Sequence, residues 1–149
     1  MARDPVTRKA FTYFYEMTTR WRDNDVYNHI NNAVFYEYVD TGVNAWIRLE
    51  AGLEVPHAEV VGLVVNSSCD FFAPLSFPGN VTAGVAVSKI GRSSVTYRVG
   101  LFADQDEQAA ADARFTHVYV GRDSRRPVDL PPPFRAALDG IYRAPEVSE

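Results

Sequence analysis

The chain has 149 residues, 46% hydrophobic, 23% charged and 13% aromatic, the balance of one packed domain rather than of a disordered segment. A net charge of −4 speaks against a nucleic-acid or anionic-membrane binder, although a few local arginines can still hold a phosphate-bearing small molecule. The single Cys69 excludes an internal disulfide, and with 3 histidines no Cys/His zinc cluster can be assembled.

The first residues, Met1-Ala2-Arg3-Asp4-Pro5, do not open an apolar signal core, and no apolar run approaches the ~20 residues of a membrane span. A soluble, cytoplasmic protein is expected. Residues 1–9 and 143–149 are polar ends expected to be flexible. Phe11 to Glu16 is aromatic and β-branched, which favours a strand. Arg20 to Asn32 is rich in Asp and Asn and reads as a loop ending in a helix start, because those side chains offer acceptors to free helix N–H groups.

Residues 33–50 are the long helical candidate. Glu37, Asp40, Thr41, Asn44 and Arg48 form one narrow polar stripe, and the remaining circumference is apolar. Burial on more than one side is therefore expected, with Gly42 marking close backbone packing and Gly52 a stop. The period then changes to two. Strands are expected at 60–72, 81–88, 95–101 and 115–120, with turn residues between them and a short connection at 90–93 that favours antiparallel pairing. Leu130-Pro131-Pro132-Pro133 ends the sheet, and 134–142 is a second, short helix candidate. Strand, helix, then four strands make an α+β layer fold, one buried helix on an antiparallel sheet.

The chemistry lies between the first strand and the long helix, in Arg20-Trp21-Arg22-Asp23-Asn24-Asp25-Val26-Tyr27-Asn28-His29-Ile30-Asn31-Asn32. Taken alone, Asp25 is a loop or capping carboxylate. In context the segment resembles the signature of the hotdog-fold acyl-CoA thioesterases of the 4-hydroxybenzoyl-CoA thioesterase type: an Arg-Trp pair, two Asp residues one apart, and His29-Ile30-Asn31-Asn32 before a long helix that carries Tyr36 and Tyr38. Asp70-Phe71-Phe72-Ala73-Pro74-Leu75, Ile90-Gly91-Arg92-Ser93-Ser94 and Arg126-Pro127-Val128-Asp129-Leu130-Pro131 resemble later segments of the same family, in order. Asn28 stands where the family commonly has Gly, and Asn is among the residues that best tolerate a left-handed backbone.

The resemblance implies a single hotdog domain over 1–149, a long central helix wrapped by a five- or six-stranded antiparallel sheet. It implies an acyl-CoA substrate, no cofactor, and a homo-oligomer, either a dimer or a dimer of dimers. It assigns catalysis to Asp25, as general base or as nucleophile, and to the backbone N–H of Asn32 as the donor polarising the thioester carbonyl, with His29 beside them. Asn28, Asn31, Tyr36, Arg92 and Ser93 are the substrate-binding candidates, Arg92 through its forked donors for a phosphate. Asp23 is expected to pair with Arg20 or Arg22, and Cys69 to be a small core residue. Phe35, Tyr36, Tyr38, Trp46, Phe71 and Phe72 are core or acyl-pocket aromatics. Two other functions compete: an acyl-thioester hydratase or dehydratase on the same fold, and a non-catalytic acyl-CoA-binding protein.

Overall fold

The computed structural model describes residues 4–54 and 57–145. Its elements in chain order are β1 (Tyr13–Thr18), α1 (Asn32–Leu49), β2 (Val60–Phe71), β3 (Asn80–Ile90), β4 (Ser94–Ala103), β5 (Ala111–Gly121) and α2 (Pro132–Gly140). The five strands form one antiparallel sheet in the order β1-β3-β4-β5-β2. The expected α+β layer is therefore present, and β2 lies at one edge of the sheet.

α1 packs on β1, β3 and β4. Phe35, Tyr38, Val39, Gly42, Val43, Trp46 and Ile47 recur at helical spacing and are buried. Gly42 is small for a reason: a Cβ there would lie 2.7 Å from the Cβ of Ala83, closer than packed atoms approach. Gly52 adopts φ +71, just beyond the end of the helix. Burial of α1 on more than one side is not observed in the single chain. Leu49 is 66% exposed and Tyr36 also faces outward, because the sheet covers one face of the helix, mainly through β1, β3 and β4.

One strand expectation is corrected. β5 begins at Ala111, four residues before the expected start, because Asp112 and Arg114 break the apolar pattern. Both belong to an ion-pair cluster on the outer face, where Asp112 accepts from Arg98 at 3.1 Å and from Arg114 at 2.7 Å. Near each chain end, main-chain hydrogen bonds tie described residues to the fold. Ala109 N–H donates to the Val6 carbonyl at 2.8 Å, Arg8 N–H donates to the Glu107 carbonyl at 3.2 Å, and Arg143 N–H reaches the Val87 carbonyl at 2.9 Å. Residues 1–3 and 146–149 lie outside the described residues.

The core carries a polar line on β4 and β5. On β5, His117 is 3% exposed and its Nδ1 lies 3.3 Å from the Tyr119 hydroxyl, which in turn lies 2.7 Å from the Tyr97 hydroxyl. Its Nε2 is buried without a partner among the described residues. Burial disfavours the imidazolium and pulls the His117 pKa down to about 4. The unfolded chain titrates near the ordinary value of ~6.5. As pH falls from there towards 4, the unfolded state takes up a proton that the folded state refuses, so stability falls through that window by about 3 kcal/mol. His117→Phe should flatten this part of the stability curve, read from urea midpoints between pH 7 and 4. A slope unchanged in the variant would refute the assignment.

Candidate active site

The loop before α1 is held at both ends. Asp23 is 1% exposed. Its carboxylate accepts from the Tyr38 hydroxyl at 2.8 Å and the Arg20 backbone N–H at 2.9 Å, and pairs with the Arg20 guanidinium at 3.1 Å. Burial alone would raise its pKa; the Tyr38 hydroxyl and the two Arg20 donors outweigh that and hold the carboxyl below its ordinary value. The Asp23 carbonyl then accepts the Asn31 N–H at 2.9 Å, and the Leu75 carbonyl accepts the Ile30 N–H at 2.7 Å. Asp23 is thus a fastening between the loop and the second turn of α1. Tyr38→Phe removes one charge-assisted hydrogen bond from a buried carboxylate, and should cost about 1.5–3 kcal/mol in the urea unfolding free energy. A loss below about 0.5 kcal/mol would contradict this role.

Between those fastenings, Asp25 closes a tight turn. Its Oδ1 accepts from the Tyr27 N–H at 2.8 Å and the His29 N–H at 3.4 Å, and its backbone N–H donates to the His29 carbonyl at 2.7 Å. Asn28 takes φ 61 at the bend, the left-handed conformation that an Asn in a Gly position was expected to tolerate. Asn31 caps α1, its side chain accepting from the Ala33 N–H at 2.9 Å. The Asn32 N–H, at the first helical position, meets no acceptor among the described residues. The positive end of the helix dipole reinforces that free donor.

Asp25, His29 and Asn32 open on one cleft of about 360 Å³. Its apolar walls are Ile30, Phe35, Phe71, Phe72, Ala73 and Pro74, with Tyr27 at its side. Phe71 packs edge-on against Phe35 at 5.1 Å between ring centroids. The chain stretch from Phe71 to Pro74 reaches the cleft because Phe72 and Ala73 N–H groups both donate to the Ala110 carbonyl, which carries the end of β2 past the start of β5. Tyr27, Ile30, Ala73 and Pro74 were not anticipated as site residues, although the loop and the Asp70–Leu75 segment that carry them were read as family-like.

The remaining candidates lie elsewhere in the single chain. Asn28 and Asn31 border the loop, shaping it and capping the helix, but neither lines the cleft. Tyr36 is an exposed residue of α1 and also lies outside the lining. Arg92 and Ser93 occupy the β3–β4 turn, at the end of the sheet where Leu63 and Ser94 both neighbour Val118; the cleft is at the opposite end, where Phe71 and Leu101 neighbour Ala111. The Arg92 guanidinium is 85% exposed and pairs with Asp129. Cys69 is half-buried, and burial with Asp70 and Asp112 nearby pushes its thiol up to about 11, so it is no ready thiolate at neutral pH.

Asp25, with its carboxylate, and Asn32, with its free helix N-terminal N–H, thus line one largely apolar cleft, and acyl-transfer hydrolysis calls for groups of these two kinds. Residues 19–138 match the thioesterase-like superfamily; the chain belongs to it, as a thioester hydrolase on the hotdog fold. The crystal structure of the PA5185 protein from Pseudomonas aeruginosa is similar at 42% identity and a TM-score of 0.91, over 95% of this chain and 99% of that one. A 1,4-dihydroxy-2-naphthoyl-CoA thioesterase from Synechocystis superposes with a TM-score of 0.77 at 18% identity, over 87% of this chain and 96% of that one. A gentisyl-coenzyme A thioesterase does so with a TM-score of 0.74 at 17% identity, over 85% and 99%. These last two likenesses are of fold. No curated protein matches the chain. Among the described residues, no helix is long and apolar enough to cross a membrane.

Proposed function

We propose that the protein hydrolyses acyl-CoA thioesters to the free acid and CoA. The observation that carries the reading is the pairing, in one cleft, of the Asp25 carboxylate with the unengaged N–H of Asn32. Asp25 Oδ1 is occupied by the turn, which leaves Oδ2 for chemistry. The acyl group lies against Phe35, Phe71 and Phe72, and the thioester carbonyl oxygen takes the Asn32 N–H. With Asp25 as general base, Oδ2 accepts a proton from water as the oxygen adds to the carbonyl carbon. The tetrahedral oxyanion is stabilised at the helix N-terminus, and its collapse breaks the C–S bond and returns the proton to the departing thiolate. With Asp25 as nucleophile, Oδ2 adds directly, CoA leaves, and water hydrolyses the resulting anhydride. Label found in Asp25 after single-turnover hydrolysis in ¹⁸O-water identifies the second route, with water adding to the Asp25 side of the anhydride.

The active unit we propose is a homodimer paired through β2. β2 is a 12-residue edge strand whose middle is exposed on both faces, Val65 at 59%. An uncovered edge of that length invites pairing, and a two-fold axis makes the pairing antiparallel. Antiparallel pairing lays the Val60 end of one β2 beside the Phe71 end of the other. The Arg92–Ser93 turn of one subunit then approaches the cleft of its partner, which gives Arg92 a CoA phosphate to bind despite its distance from Asp25 in the same chain.

The test is thiol release from short, long and aromatic acyl-CoAs by the wild-type protein. Turnover of any member is the expected result. Formation of an enoyl product would indicate the hydratase alternative, and tight binding with no turnover an acyl-CoA-binding protein; either would overturn the proposal.

A further inference from the structure

A second cavity, of about 210 Å³, adjoins the cleft, and Phe72 is the one residue that lines both. We propose that the Phe72 ring is the partition that ends the acyl site, and that the cavity behind it is an extension for longer acyl chains, opened when the ring is made small. This rests on the thioesterase reading above. The second cavity is walled by Asp4, Pro5, Val6, Gln108 and Ala109, a lining more apolar than polar.

Its outer wall is fixed. The segment ahead of β1 is tied to the 104–109 loop by the Ala109 N–H to Val6 carbonyl bond of 2.8 Å and the Arg8 N–H to Glu107 carbonyl bond of 3.2 Å. The Arg8 guanidinium adds bonds to the Asp106 carbonyl at 2.8 Å and the Asp104 carbonyl at 3.0 Å. The inner wall is fixed only at its backbone, where Phe72 N–H donates to the Ala110 carbonyl at 2.8 Å. Phe71 is held against Phe35, whereas Phe72 is 45% exposed and has no aromatic partner among the described residues. On this proposal the partition is the side chain, and truncating it joins the two spaces while leaving the backbone bond to Ala110 in place.

Each methylene newly buried is worth about a fourfold gain in affinity. Phe72→Ala should therefore raise kcat/KM for chains two or more methylenes beyond the wild-type optimum by about tenfold or more, relative to that optimum. Adding Gln108→Trp, an exposed rim position, should refill the extension and cancel the gain. Phe72→Leu repeats the comparison should the alanine variant fold poorly. Binding of hydrolysis-resistant alkyl-CoA thioethers of increasing length, by calorimetry, supplies a readout free of turnover. If no acyl-CoA is hydrolysed, the thioesterase reading fails, and the thioether series still judges the partition. Affinity that climbs further with chain length in Phe72→Ala than in wild type upholds it. Parallel length profiles in both proteins overturn it.

Discussion

Asp25→Asn should lower kcat for acyl-CoA hydrolysis by about 10²–10⁴-fold and leave the melting temperature nearly unchanged. The two halves of this expectation come from different oxygens of one carboxylate. Oδ1 organises the turn by accepting from Tyr27 and His29, and an amide oxygen can do the same. Oδ2 is the atom that takes the proton or adds to the carbonyl, and an amide nitrogen can do neither. Asp25→Ala should differ: it removes the turn acceptor as well, so it should cost stability of about 1 kcal/mol in addition to activity. If the asparagine variant turned over at the wild-type rate, Asp25 would be a structural residue and the acid–base role would pass to another group.

The second large effect is expected from Asn32→Pro, a substitution that deletes a backbone donor. Proline is normally ruinous in a helix, yet at the first helical position it removes an N–H that has no intrahelical partner. The preceding residue must be extended, and Asn31 already sits at φ −60, ψ 140. The helix should therefore survive with its Asn31 cap intact. Loss of one oxyanion donor should cost about 10²–10³ in kcat, with KM changed far less. Asn32→Ala is the matched control, because it keeps the N–H; it should retain most of the rate. Equal losses in both variants would mean that the Asn32 side chain, not its main chain, serves the reaction.

Much of this was legible because the informative residues are neighbours in sequence. Asp25, His29 and Asn32 lie within eight positions, and the helix that orients them announces itself by its 3.6-residue polar stripe and its Asn31 cap. Gly42 could be read as a close approach because an otherwise bulky helix face carried one missing side chain. What escaped is what the tertiary fold brings together. Nothing in the spacing of Asp23 and Tyr38 signals their hydrogen bond, which depends on the loop folding back over the second helical turn. The cleft's far wall arrives from a strand some forty residues away. The early start of β5 was hidden because its outward face pairs charges with β4, which looks like a loop to any pattern that expects apolar alternation. The surplus apolar surface of α1 and β2 is visible in the sequence, and in the single chain much of it stays uncovered; a paired dimer would cover part of it.

The most direct test of the account is a double-mutant cycle on thiol release, using wild type, Asp25→Asn, Asn32→Pro and the double variant with one well-hydrolysed acyl-CoA. The account places both groups on a single transition state, one supplying the base or nucleophile and the other the oxyanion donor. It predicts that each single variant is crippled and that the double variant is little slower than the worse single one, because the groups act as a unit. Full activity in either single variant, with the protein still folded, would contradict it.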